Sequence, residues 1–169
     1  MKRKGLLFSS ILITVVIVDM ALFGSQIFAV LSELPHGFHL DVHGVRLHTP
    51  TFYTTSTGIA YGEYNFITMP SPTRHKTSMI TIDFKRQPTS AKPFSDEMLQ
   101  KTGLTFMRQR HASLAGRSGE CYEYTNKFGM PEIECSFGIE LRTSFIGSPS
   151  AIDDFYVFMN KVEELPRKN

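Results

Sequence analysis

The feature that most constrains the fold of this chain is a long apolar run, which extends from Leu6 to Leu31. Only Asp19 and Gln26 interrupt it strongly. A helix needs roughly 20 mostly apolar residues to cross about 30 Å of hydrocarbon, whereas the apolar part of a secretory signal has roughly 7–15. The length therefore predicts a transmembrane anchor within residues 1–34, preceded by a short basic stub.

A cleaved signal peptide is the alternative interpretation of the same run. Ile27, Phe28 and Ala29 would then have to serve as the cleavage site. They match the usual A-x-A pattern poorly, because Ile is larger than the preferred Ala. The sequence favours an uncleaved anchor and leaves a secreted domain with a removed leader as the alternative.

Asp19 lies near the middle of the predicted span. A central Asp opposes insertion by about 2.5–3.5 kcal/mol, whereas the apolar residues from Leu6 to Phe23 favour it by roughly 5 kcal/mol in total. Gln26 lies seven residues further along and therefore occupies almost the same helical face. Because intramembrane carboxylates usually face another helix or a water-filled cavity, we predict that Asp19 and Gln26 contact a partner helix. The alternatives are a protonated Asp19 and a cleaved segment.

The charges on either side of the run predict its orientation. Residues 2–4 are Lys-Arg-Lys, and no further Lys or Arg occurs until Arg46, after Glu33 and Asp41. Positive charge is retained on the cytoplasmic side of a membrane. The sequence thus predicts a single-pass protein of the cell membrane, in contact with lipid, with a cytoplasmic N-terminus and a periplasmic or extracellular domain.

Composition excludes one class of partner. Three of the 18 Lys and Arg residues and two of the 16 Asp and Glu residues lie in the first 33 positions. The remainder carries 15 basic and 14 acidic residues, which is nearly neutral. A nucleic-acid-binding surface requires clustered Lys and Arg, so we expect no nucleic-acid partner.

Behind the anchor, residues 35–44 are interpreted as a juxtamembrane connector and residues 45–169 as one exported domain. Pro and Gly residues divide the domain into short segments rich in β-branched and aromatic residues, a pattern typical of strands joined by turns. The predicted strands are Tyr61 to Met69, Ser78 to Lys85, Leu104 to Arg110, Glu120 to Thr125 and Glu132 to Phe145.

Two helices are predicted between and after these strands. The first runs from a Ser95 cap to Lys101 and ends at Gly103. The second opens at residues 148–150, with Ser150 and Asp153 as a variant capping box. Its predicted apolar stripe consists of Ile152, Phe155, Tyr156, Met159 and Val162, and Pro166 is expected to stop it. This order predicts an α+β fold in which a C-terminal helix packs on one face of an antiparallel sheet.

The order of elements resembles that of the PsbP/Mog1-like group of small α+β domains, which end in a helix packed on a twisted sheet. The resemblance concerns topology alone, because the sequence carries no motif of that group. It implies the fold, and neither a function nor a site residue is transferred with it.

Cys121 and Cys135 are the only cysteines, and turn chemistry between them predicts a disulfide. A three-residue loop 127–129 with a left-handed Gly129 places Cys121 opposite Cys135 in a hairpin. The alternation of apolar residues favours a register shifted by one residue, which would separate the cysteines. Because an exported domain occupies an oxidising compartment, we favour the disulfide over two buried thiols.

Four histidines lie in one short stretch and are the strongest candidates in the chain for a metal site: His36, His39, His43 and His48. If the stretch is extended, Asp41 shares a face with His39 and His43, an arrangement that can hold a metal. A solvated connector is the favoured interpretation, so no metal or other cofactor is expected.

No paired carboxylate, G-x-S-x-G elbow or nucleotide-binding glycine pattern is recognisable, so an enzyme is not expected. The sequence favours a membrane-anchored, non-catalytic interaction subunit of a larger membrane complex, with other membrane-protein subunits as partners. The alternative is a secreted ligand- or metal-binding domain.

Overall fold

The computed structural model describes residues 24, 26–57, 62–68, 77–84, 94–138 and 141–166. Within these ranges the strands are β1 His39–Val42, β2 Val45–His48, β3 Thr54–Thr57, β4 Glu63–Thr68, β5 Ser78–Asp83, β6 Leu104–Leu114, β7 Arg117–Asn126, β8 Pro131–Ser136, β9 Arg142–Ile146 and β10 Glu163–Glu164. Residues 26–33 are helical and are named α1. The other helices are α2 Asp96–Thr102 and α3 Ile152–Asn160, and short 3-10 turns cover Leu34–His36 and Pro149–Ala151.

The strands form two antiparallel sheets. The larger has the order β3-β4-β5-β9-β8-β7-β6, and the smaller has the order β1-β2-β10. Together with the helix α3 near the C-terminus, they confirm the predicted α+β class and the antiparallel arrangement.

The core lies between one face of the large sheet and helix α3. Strand β5 shows why these residues form it, since alternation places Ile80 and Ile82 on one face, and both are fully buried. Ring centroids are 4.9 Å apart for Phe66 of β4 and Phe158 of α3, and 5.7 Å for Phe145 of β9 and Phe155 of α3. Helix α3 therefore packs across the sheet from β4 to β9, which lie on either side of β5.

The small sheet completes the cover of this core. Val45 and Leu47 of β2 are buried in the same cluster as α3. Residues 39–42, which lie in the predicted connector, form β1 and pair with β2. The folded part of the described chain thus begins earlier than Val45.

The prediction of one continuous strand from Glu132 to Phe145 is wrong, because this segment contains β8, a turn and the start of β9. At the turn the backbone N–H of Phe137 donates to the carbonyl of Leu141 at 2.9 Å, and Gly138 has a φ of 74°. Both strands bury the same face, since Cys135 is opposite Thr143. The apolar alternation therefore continues through the turn and hides it from a sequence pattern.

Helix α2 confirms its predicted cap and end. The Ser95 side chain accepts a hydrogen bond from the backbone N–H of Met98 at 3.3 Å, and Gly103 adopts the left-handed conformation that ends the helix.

Helix α3 departs from the prediction at both ends. The capping box is absent: Ser150 Oγ lies 2.9 Å from Ser148 Oγ, and a 3-10 turn leads into the helix instead. The helix ends at Asn160 rather than near Pro166. Val162 remains buried because the chain turns there into β10, which pairs with β2.

Candidate functional site

Helix α1 exposes apolar side chains and buries a carboxylate, the reverse of a helix in a water-soluble domain. Ile27 and Leu31 are 40% and 61% exposed, whereas Ala29 and Glu33 are 3% and 4% exposed. Residues four apart share one side of a helix, so the exposed pair lies on one side and the buried pair on another. The buried side faces the domain, and the apolar side faces away from it.

Glu33 fixes the end of α1 to the domain. Its Oε1 accepts a hydrogen bond from the backbone N–H of Thr55 at 2.7 Å. Its Oε2 accepts from Thr55 Oγ1 at 2.9 Å and from Thr49 Oγ1 at 3.1 Å. A carboxylate is tolerated inside a protein when hydrogen bonds replace its hydration. Because Thr49 follows β2 and Thr55 lies in β3, Glu33 ties the helix to both sheets.

The exposed apolar surface continues beyond the helix. We name it the junction patch, and its residues are Ile27, Phe28, Leu31, Leu34 and Phe38, all of them large exposed hydrophobic residues. The backbone N–H of Phe38 donates to the Glu33 carbonyl at 3.4 Å, and the Phe38 carbonyl accepts from the Thr49 N–H at 2.9 Å. Phe38 is thereby held at a left-handed φ of 58°, a conformation that costs a residue with a side chain roughly 1–2 kcal/mol.

Two clefts border the junction patch. The first has a volume of 570 Å³ and is lined by Phe28, Ser32, Glu33, His39, Leu40, Thr54, Thr55 and Ser56. The second has a volume of 260 Å³ and is lined by Phe38, His48, Thr49, Pro50, Thr51, Phe52, Asp154, Val157, Phe158 and Lys161. Each cleft thus combines residues of the patch with polar groups of the domain.

The predicted histidine constellation does not come together as a metal site. Asp41 is occupied by Arg46, whose Nε and Nη2 donate to the two carboxylate oxygens at 2.8 Å each, and this hydrogen bonding lowers the pKa of Asp41. His43 has a φ of 48° and its ring stacks on Phe84 at 4.7 Å. No three His, Cys, Asp or Glu side chains in the described ranges converge as a metal would require. The stretch is therefore partly structural, in strands β1 and β2.

His39 and His48 do face each other across the β1–β2 pair. His39 Nδ1 lies 3.0 Å from the Gly37 carbonyl, and His48 Nε2 lies 3.6 Å from Glu163 Oε1. The second distance is too long for a hydrogen bond and represents an ion pair only when His48 is protonated.

Cys121 and Cys135 form a disulfide in the structure, with their Cα atoms 4.0 Å apart. They are directly opposite in the β7–β8 pair, in the register that the turn chemistry predicts. The objection from the apolar pattern is resolved by Tyr124, which lies on the other face of the sheet. Phe94 covers it there, with ring centroids 4.9 Å apart, and the Phe94 backbone N–H donates to the Tyr124 hydroxyl.

A charge cluster around the buried Glu123, which pairs with two exposed arginines, is not predicted by the sequence. Arg108 Nε donates to Glu123 Oε2 at 2.6 Å, and Arg110 Nε lies 3.0 Å from Oε1. The Tyr156 hydroxyl of α3 donates to the same Oε1 at 2.6 Å. Burial, and then the hydrogen bond to Glu123, raise the pKa of Tyr156 far above its ordinary value. The cluster fastens α3 to the edge of the large sheet, and only the alternation of β7 could have hinted at an inward Glu123.

The predicted partner-helix contact stays a prediction. Asp19 lies outside the described residues, as does most of the predicted span. Gln26 is half-buried. Among the residues that the structure describes, no helix is both long and apolar enough to cross a membrane.

No protein-family profile matches the sequence, and no curated protein matches it. A similar solved structure is the solution structure of cyanobacterial PsbP (CyanoP) from Synechocystis sp. PCC 6803. It is 11% identical, the match covers 73% of this chain and 89% of that chain, and the TM-score is 0.41.

Proposed function

We propose that this protein is a membrane-anchored, non-catalytic interaction subunit whose folded domain lies on the outer side of the membrane. The observation that carries the proposal is the reversed polarity of α1, which buries Glu33 and exposes Ile27 and Leu31. Exposed apolar side chains on a helix are favourable only where lipid or another helix replaces water. The helix continues the apolar run of the sequence, so a membrane is the natural environment for that side.

The hydrogen bonds of Glu33 make the anchor part of the folded body. Three hydrogen bonds to Thr49 and Thr55 hold α1 against both sheets. A partner that binds α1 would therefore also position the domain. This coupling suits a subunit that docks on a larger complex better than a domain on a loose tether.

A non-catalytic role is supported by the contacts of several reactive side chains in the described ranges, which are already engaged in ion pairs, hydrogen bonds or a disulfide. Glu123 is held by Arg108, Arg110 and Tyr156, and Asp41 is held by Arg46. Cys121 is consumed in a disulfide. These groups stabilise the fold, which leaves none of them poised as a nucleophile or base.

The partners we propose are other membrane-protein subunits, contacted through Asp19 and Gln26 and through the domain. The test is extraction of the full chain in mild detergent, followed by identification of the co-purifying proteins. Asp19→Leu is expected to reduce the recovered partners severalfold, because it removes the polar contact within the span. Val18→Leu, a neighbouring apolar exchange, is the matched control and should leave recovery unchanged. Recovery of the wild-type chain as a lone monomer would contradict the proposal.

A secreted binding domain with a removed leader is the second candidate, and the 570 Å³ cleft favours it. Cleavage after Ala29 would, however, remove Phe28 from that cleft and take away Ala29, which is 3% exposed. The structure of α1 thus supports the anchored form.

A further inference from the structure

We infer that the junction patch rests in the lipid interface of the membrane, so that Phe38 and the neighbouring Val157 of the folded domain contact lipid. This inference rests on the proposed function, because it requires an anchored chain. It adds an orientation: the domain sits on the bilayer surface rather than standing away from it.

The exposed apolar surface extends past the end of α1. Phe38 follows the 3-10 turn and is 37% exposed, and Val157 belongs to α3 and is 47% exposed. Both line the 260 Å³ cleft. Two elements distant in sequence therefore add apolar surface beside the end of α1, which a span alone would not require.

The backbone is strained at the same place. Phe38 and Phe52 have φ values of 58° and 68°, and both line this cleft. A bulky residue in the left-handed region is an outlier, and such conformations persist where the surrounding structure enforces them and where they serve a site. Here the hydrogen bonds of Phe38 to Glu33 and Thr49 enforce the conformation and present its ring at the surface.

The length of the apolar run favours lipid as the occupant of this surface. Roughly 20 residues counted from Leu6 fill the hydrocarbon layer and end near residue 26. The patch begins at Ile27 and therefore falls at the depth of the headgroups, where interfacial helices bury Phe and Leu side chains. Lys161 lines the 260 Å³ cleft, and its ammonium group is suited to a lipid phosphate. Asp154 lines the same cleft, and its carboxylate accepts a hydrogen bond from the Tyr53 hydroxyl at 3.3 Å.

The experiment uses the absence of Trp from the chain, which makes any introduced Trp a unique fluorophore. Full-length Phe38→Trp is reconstituted in phosphatidylcholine vesicles, with and without bromine on the acyl chains close to the headgroup. Its emission is expected to shift to the blue and to fall by about half or more with brominated lipid, as expected for a ring at the interface. Ser118→Trp is the control. Ser118 is exposed in β7 next to Arg117, whose Nε lies 3.9 Å from Glu164 at the end of the small sheet away from His39 and His48, so this reporter should not be quenched.

Val157→Trp is a second reporter on α3, which guards against a local effect of changing Phe38. Its emission should also be quenched. If Phe28→Trp is quenched while the Phe38 and Val157 reporters are not, only the helix meets lipid and the inference is overturned. Equal quenching of the Ser118 reporter would overturn it as well.

Alkaline extraction of the same vesicles separates this inference from the proposed function. Protein that stays with the vesicles but shows no quenching at Phe38 and Val157 refutes the lipid contact and keeps the anchor. Protein released into the supernatant refutes both.

Discussion

Glu33 is the residue on which the junction between helix and domain depends. Glu33→Ala removes a buried carboxylate and leaves the Thr49 and Thr55 donors without it, so the free energy of unfolding should fall by about 2–4 kcal/mol. Urea denaturation of the full chain in detergent measures this. Glu163→Ala is the control, since its side chain is 63% exposed, and it should change stability by less than about 0.5 kcal/mol. Equal stability of the two variants would show that Glu33 does not hold the junction.

The contact between Tyr156 and Glu123 should make the free energy of unfolding depend on pH. Tyr156→Phe removes the hydrogen bond to Glu123 and should lower the free energy of unfolding by about 1 kcal/mol near pH 7. Because burial raises the pKa of Tyr156 in the folded state above the ordinary 10.0, the unfolded chain loses this proton first as pH rises. The stabilisation is therefore fully present below pH 10 and is lost as pH rises toward the folded-state pKa. The denaturation curves of wild type and variant should converge above about pH 10, and a constant difference up to pH 11 would contradict this assignment.

Neither Glu33 nor Glu123 can be recognised from the sequence as a residue that joins distant elements of the fold. The partners of Glu33 lie 16 and 22 residues away, and Tyr156 lies 33 residues from Glu123. Such contacts depend on how the strands are ordered in the sheets. Local patterns of polarity do not contain that information. From the sequence, Glu33 is predicted only to lie at the end of the anchor segment, residues 1–34.

Among the elements, the β7–β8 hairpin is one whose register can be predicted from the residues of its turn alone. Asn126 Oδ1 accepts hydrogen bonds from the backbone N–H groups of Phe128 and Met130 at 2.9 and 3.1 Å, and Gly129 has a φ of 71°. These preferences of single residues set the register that pairs Cys121 with Cys135. The turn between β8 and β9 was missed because the apolar alternation runs through it without interruption.

The disulfide makes this hairpin testable. The cysteines are 14 residues apart, and closing a loop of this size should stabilise the domain by about 3 kcal/mol. Reduction should add the mass of two hydrogen atoms and lower the free energy of unfolding by that amount. In a Cys121→Ala/Cys135→Ala variant, reductant should have no effect on stability. A reductant-independent wild type would mean that the two thiols are not joined.

The C-terminal elements show how a periodic pattern can predict burial while misplacing the end of a helix. Val162 belongs to the predicted stripe and is buried, yet it lies beyond the end of α3. The chain is turned at this point by the pairing of Glu163 and Glu164 with Arg46 and Val45. A non-local strand pair therefore overrides helical periodicity.

In the whole molecule three properties occur together: an apolar run, a helix that exposes apolar side chains and buries Glu33, and a folded domain to which Glu33 is hydrogen-bonded. The class of the fold is predicted by the order of strands and helices, whereas the way in which Glu33 joins α1 to the domain is visible only in the structure. The lipid contact that we infer at Phe38 and Val157 depends on this junction, because hydrogen bonds that hold α1 against the domain would also set the height of a membrane-anchored domain above the bilayer.

The most direct test of the central claim is the N-terminal sequence of the mature protein, determined on membranes washed at alkaline pH. We expect the chain to stay with the membrane and to begin at Met1, or at Lys2 after removal of the initiator methionine. A soluble protein that begins near Val30 would contradict it.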